Sequence, residues 1–301
     1  MFYLKTRIIT GLVGVSVAIL ALVRLDGPLF GLLLLPFTAM ACYEICHITK
    51  VKNKAMIWFG IAVAALTPLW MEYHARLPAY LQVRPLALAA LCFAVLCVLA
   101  LVKSEETRIE HVLFTLFACV GIPAAAGSLT GIRDMLRQSE GAAFRISLAV
   151  YFLFFTICCA WLTDAFAYFV GSKLGKHKLA PKISPKKTVE GAVGGILGTM
   201  LFNTGFAILF DKFFLEGAYR LRVPAFVLLT LPLCLISMLG DLVFSLLKRN
   251  YGAKDFGSFF PGHGGVMDRF DSIVFVAPCM ALLLQLNVDF GWGLFYARVL
   301  S

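Results

Sequence analysis

Residues 84–102 read RPLALAALCFAVLCVLALV, a run with no charge after Arg84 and no helix breaker after Pro85. It shows neither the alternation of a half-buried strand nor the striping of a surface helix, since every face is apolar. A helix needs about 20 such residues to cross the hydrocarbon core of a bilayer, so the run predicts a transmembrane helix. Eight more stretches share its character, at 8–24, 27–46, 55–71, 111–130, 147–171, 191–210, 224–247 and 270–290. Pro36, Pro68, Pro123 and Pro232 fall inside these stretches. Lipid-embedded helices accept proline where neighbouring groups satisfy the freed carbonyls, so the prolines do not split the assignment. The expected fold is an all-α polytopic integral membrane protein with about nine transmembrane helices. About five spans fall in an N-terminal region, 1–146, and about four in a C-terminal region, 147–301.

Composition agrees. Of 301 residues 60% are apolar and 15% charged, with a mean hydropathy of +0.87; a soluble domain is about half apolar and about a quarter charged. The net charge of +10 would suggest nucleic acid in a soluble chain, but the basic residues lie between apolar blocks, so no nucleic-acid partner is expected. Seven of the nine cysteines sit within apolar stretches and read as small buried hydrophobes. Cys42, Cys46 and His47 lack a second ligand pair at zinc spacing. The N-terminal run has Lys5 and Arg7 before it but no convincing small-residue cleavage site, so it reads as an uncleaved first span.

Alternate loops carry unequal numbers of basic residues. The side holding the N-terminus takes 17 of the 27 Lys and Arg, six of them in 172–190. The positive-inside rule makes that side cytoplasmic. It also puts the two most polar segments, 172–190 and 248–269, in one compartment.

Ionisable residues within spans cost about 2.5–3.5 kcal/mol each on insertion scales and need a reason. Here they are Glu44, Asp164, Asp241, Asp268 and Asp271. Helical spacing places Asp241, Ser245 and Lys248 on one face, Asp164, Tyr168 and Gly171 on another, and Asp268 with Asp271 on a third. Acidic faces directed at one cavity suit a hard divalent cation. Each Asp taken singly has a plainer reading, pairing with a nearby Lys or Arg. Glu44 has no assignment beyond the end of a span.

Segment 172–190, SKLGKHKLAPKISPKKTVE, supplies six lysines with Ser184 and Thr188, and runs into EGAVGGILG. Alone it reads as a positive-inside loop against anionic headgroups; with the glycines it also reads as a phosphate-binding helix start. Segment 245–271, SLLKRNYGAKDFGSFFPGHGGVMDRFD, packs basic and acidic residues around glycines.

This last run resembles the signature of the CDP-diacylglycerol synthases, or phosphatidate cytidylyltransferases. Ser245, Lys248, Arg249, Lys254, Asp255, Pro261–Gly265, Asp268, Arg269 and Asp271 match it without a gap. Ser184 to Thr188 with Glu190 and Gly191 is similar to a second block of that family, and Asp164 and Gly240-Asp241 also resemble family positions. The resemblance covers 161–271. It implies Mg²⁺-dependent transfer of CMP from CTP to phosphatidic acid, giving CDP-diacylglycerol and pyrophosphate, with a second cation plausible.

The residue chemistry agrees with that. A phosphate monoester is already largely ionised near neutral pH, so the demand is to bring two polyanions together and stabilise developing charge. Asp241 and Asp268 are the expected metal ligands, with Asp271, Asp164 and Ser245 as further candidates. Lys186, Lys187, Ser184, Thr188 and Lys254 are expected to bind substrate. Lys248, Arg249 and Arg269 would act with the aspartates on the phosphates, and His263 either bonds a phosphate, donates a proton to the leaving group or only orders the glycine turn. Expected placement is a bacterial inner membrane with the N-terminus and active-site cavity cytoplasmic; a homodimer is open. A relative that cytidylylates another lipid phosphate, or an ion-coupled transporter, is the alternative.

Overall fold

The computed structural model describes residues 29–73, 84–137, 142–215, 219–259 and 264–298. The expected span 8–24 and His263 lie outside them. Contacts divide the chain into two compact units. One runs up to Thr130 and adds Lys248–Phe270; the other joins Gly131–Leu247 to the segment from Asp271 onward. Most of the signature segment, Lys248–Phe270, groups with the N-terminal helices, while Ser245 and Asp271 fall in the second unit.

The first unit contains α1 (Leu29–Ile48), α2 (Lys54–Tyr73), α3 (Pro85–Val102), α4 (Ile109–Leu116) and the start of α5 (Ile122–Arg137). In α1 the Thr38 hydroxyl donates to the Ala64 carbonyl of α2 at 2.8 Å. Asn53 starts α2 by accepting the Ala55 N–H, and its amide donates to Leu99 O of α3 at 2.9 Å. Between α4 and α5 the backbone widens into a π turn over Phe117–Gly121. Pro123 follows, and a proline ring displaces the carbonyl four residues back, which a π turn accommodates without ending the span. The outer side of this unit is greasy: Leu86 is 82% and Leu101 76% exposed on α3. Rows of bare leucine are costly in water and at home in acyl chains.

The second unit contains α6 (Ala142–Leu174), the hairpin β1 (Lys178–Ala180) and β2 (Ser184–Thr188), α7 (Val189–Phe214), β3 (Tyr219–Leu221), most of α8 (Val223–Asn250), α10 (Ile273–Asp289) and β4 (Tyr296–Arg298). Strands β1 and β2 pair antiparallel, as do β3 and β4. The four-residue α9 (Met267–Phe270) belongs to the first unit. Here α6 lies close against α7: a Cβ on Gly195 would fall 2.7 Å from Thr163 O and 3.0 Å from the Ala167 methyl. Small polar groups line the contact. Thr163 Oγ1 lies 3.3 Å from Thr199 Oγ1, and Asn203 donates to Cys159 Sγ at 3.3 Å. Such bonds are worth about 0.6 kcal/mol apiece in a bilayer, so close backbone approach carries most of the association.

Among the described residues seven helices are long and apolar enough to cross a membrane, with α10 as a shorter apolar helix of 17 residues. The protein is an all-α polytopic membrane protein. The stretch 270–290 departs from expectation, because the chain breaks between α9 and α10 at Asp271 and Ser272, where two polar residues interrupt the apolar run.

Candidate active site

Strand β2 sends alternate side chains to opposite faces. Lys186 is therefore exposed while Lys187 turns inward. The Lys187 ammonium contacts Asp241 of α8 and stands 3.6 Å from Asp164 Oδ1 of α6. Ser272 Oγ donates to the other Asp164 oxygen at 3.3 Å, and Asp271 Oδ1 accepts the Ser272 N–H at 2.7 Å. Four separate segments thus meet around one lysine. Burial opposes the Lys187 charge, yet the carboxylates of Asp241 and Asp164 outweigh it and hold its pKa above the ordinary lysine value. Asp164 and Asp241 are thus paired with a lysine, as the plainer reading of each Asp had it.

Ser184 is half-buried where β2 begins, paired with Ala180. Thr188 is buried and caps α7 by accepting the Gly191 N–H at 3.1 Å. The next residue but one, Glu190, accepts the N–H groups of Lys176 at 3.0 Å and His177 at 3.2 Å, and lies 2.5 Å from His177 Nδ1. These contacts revise the reading of EGAVGGILG as a phosphate cradle. The Gly191 N–H is already capped, and a Cβ there would fall 2.7 Å from Ala167 O. The glycines serve helix packing.

In the first unit the signature loop builds a second cluster. Lys248 Nζ donates to Asp268 Oδ1 at 2.7 Å and lies 5.1 Å from the Phe256 ring centre. Asp268 Oδ2 accepts the N–H of Phe256 at 2.7 Å and of Gly265 at 3.0 Å. Both partners are nearly buried, with side chains 9% and 6% exposed. Asp268, expected as a metal ligand, thus has both oxygens engaged by three N–H donors. Arg249 donates to Ala253 O at 2.9 Å, closing the turn after α8. Lys254 and Arg269 are exposed, and Ser245 is buried one turn along α8 from Asp241.

One participant was not anticipated. Glu44 of α1, 2% exposed, accepts the N–H of Val266 at 2.9 Å and of Met267 at 2.8 Å. A carboxylate inside an apolar span was the only sign of it in the sequence.

This geometry, with lysines set on aspartates and a glycine loop pinned through its amides, accompanies a match of the cytidylyltransferase family model to residues 5–287. The chain belongs to the cytidylyltransferase family. A phosphatidate cytidylyltransferase of Bacillus subtilis (strain 168) is 34% identical over 289 residues, covering 94% of this chain and 98% of the relative. Those of Staphylococcus saprophyticus subsp. saprophyticus and Staphylococcus haemolyticus are 41% identical over 138 and 135 residues, covering 46% and 45% of this chain and 50% and 49% of theirs. The resemblance drawn from 161–271 is borne out, and the Bacillus relative extends it over nearly the whole chain.

For a cytidylyltransferase using a divalent cation, the donor chemistry is testable on these residues. Among the described residues no three His, Cys, Asp or Glu side chains converge as a closed metal site. Asp164 and Asp241 do converge on a single positive group, the Lys187 ammonium. Two carboxylates suit Mg²⁺, which keeps several waters and takes substrate phosphate oxygens instead of a full protein cage. The residues fit such an ion.

Proposed function

We propose that this chain transfers CMP from CTP to phosphatidic acid, yielding CDP-diacylglycerol and pyrophosphate. A phosphate oxygen of the lipid attacks the α-phosphorus of CTP; the bond from that phosphorus to the bridging oxygen breaks, and pyrophosphate leaves with its electron pair. The observation that carries this reading is the Lys187 cluster: a lysine-bearing hairpin places one ammonium between two carboxylates. It sits in a chain whose near full-length Bacillus relative is named phosphatidate cytidylyltransferase.

Each group has a task on this reading. Asp164 and Asp241 would hold Mg²⁺, with Asp271 and Ser245 beside them, and the ion would supply a Lewis-acid centre that neutralises the triphosphate. Lys187, positively charged throughout the physiological range, offers its ammonium to a phosphate oxygen. Lys186, Lys182, Lys178 and Lys254 are exposed and attract both polyanions from the surface. Lys248, locked by Asp268, presents a fixed charge that needs little reorganisation to meet a phosphate. The excess of basic residues on one set of loops supports a cytoplasmic active site in the inner membrane, where CTP is available.

The test is incorporation of labelled CTP into lipid by purified protein with phosphatidic acid and Mg²⁺, beside Asp241→Asn. The expected result is lipid product from the wild type and at least about 100-fold less from the variant, in line with losing one preorganised electrostatic group. Product with a different lipid phosphate only would reassign the acceptor. No product with any lipid phosphate would sink the transfer.

A further inference from the structure

The N-terminal helices carry none of the signature residues, yet one of them reaches into the signature loop. The Glu44 carboxylate is buried in α1 and accepts two consecutive backbone N–H groups, Val266 and Met267, while the N–H before them, Gly265, goes to Asp268. Three successive amides are thus each held by a carboxylate. The fit leaves no slack, because a Cβ on Gly265 would fall 2.5 Å from a Glu44 oxygen and one on Gly257 would fall 2.6 Å from it. Glycine at both positions is what lets the loop close around the carboxylate.

Burying a carboxylate in a span costs several kcal/mol unless its oxygens are well bonded. Leucine would serve α1 more cheaply as packing. The position of the Glu44 contacts gives the reason: they fix the residues immediately before Asp268, whose oxygen in turn sets the Lys248 ammonium. We infer that Glu44 is a positioning residue for nucleotidyl transfer, clamping the amides of Val266 and Met267 so that Asp268 and Lys248 stay in register. The inference rests on the transfer proposed above. It gives the N-terminal helices a part in the chemistry without contact with the substrates.

Glutamine is the discriminating substitution. It keeps the size and one acceptor oxygen but sets an NH₂ against the second N–H, donor against donor. For Glu44→Gln the expected result is a fall in kcat of about 10–100-fold, the cost of a sub-ångström to ångström misplacement. KM for CTP and the melting temperature in detergent should change little. Amide hydrogen exchange at Val266 and Met267 should speed up while exchange in α2 is unchanged. Gly265→Ala, which crowds the same carboxylate from the loop side, should reproduce the kcat loss with Glu44 intact. Both residues act through one loop, so Glu44→Gln combined with Asp268→Asn should be no slower than Asp268→Asn alone, a non-additivity expected of coupled sites.

Turnover of Glu44→Gln within twofold of wild type, a loss that only tracks the unfolded fraction, or multiplied effects in the double variant would each overturn the inference. So would faster exchange with unchanged kcat, which would leave Glu44 a purely structural staple. A wild type that transfers no CMP to any lipid overturns the transfer itself and this inference with it, a result distinct from any behaviour of the variants.

Discussion

At the residue scale the decisive contacts are lysine–carboxylate pairs whose surroundings set their worth. Lys187 is 24% exposed and faces two carboxylates, so its contribution falls between an exposed pair at up to about 1 kcal/mol and a buried one at about 3–5 kcal/mol. Its removal should hurt mainly by leaving Asp164 and Asp241 to repel each other. Lys187→Met is accordingly expected to lower the melting temperature in detergent, and adding Asp241→Asn should recover much of the loss. Measuring unfolding of the single and double variants checks this, and equal melting temperatures for wild type and Lys187→Met would show that the carboxylates do not need the ammonium. Lys248 differs, being enclosed with Asp268 and tied to backbone amides, so its role is orientation.

At the scale of elements, α6 and α7 are held together by the absence of side chains as much as by their presence. A Cβ on Gly191 or Gly195 would fall 2.7 Å from a carbonyl oxygen of α6, and backbone cannot step aside as a flexible side chain can. Gly195→Val is therefore expected to destabilise the protein by about 1–3 kcal/mol, the usual cost of overpacking a close contact. Thermal unfolding measures it directly. Because α6 carries Asp164 and β2 leads into α7, separating the helices should also disturb the Lys187 cluster, so CMP transfer should fall further than stability alone accounts for. The hairpin is an element in the same sense: strand alternation separates two adjacent lysines, one exposed and one on the carboxylates, which sequence spacing alone leaves equivalent.

For the whole molecule the open quantity is orientation. The basic asymmetry of the loops predicts Lys182 and Lys254 on the cytoplasmic side and Arg84 on the opposite side. All three are exposed. Cysteine at 182 or 254 should react with an impermeant maleimide in inverted vesicles and stay protected in right-side-out ones, with the reverse for cysteine at 84. Labelling of 182 and 254 from opposite sides would overturn the cytoplasmic placement of the two loops.

By itself the sequence determined the solvent and the chemistry. Long apolar runs such as 84–102 can only be satisfied by lipid, and the spacing of Lys248, Asp268 and Asp271 within the signature carried the family, because both properties reside in local composition. Only the tertiary structure decided partners. It showed that Lys187 and not Lys186 meets the aspartates, that Asp268 spends its oxygens on Lys248 and two loop amides, and that the glycines after Thr188 pack helices instead of cradling phosphate. It also brought Glu44 to Val266 and Met267, more than two hundred residues away. A periodic pattern reports which face a side chain occupies on its own element; which element lies opposite depends on how the chain folds back.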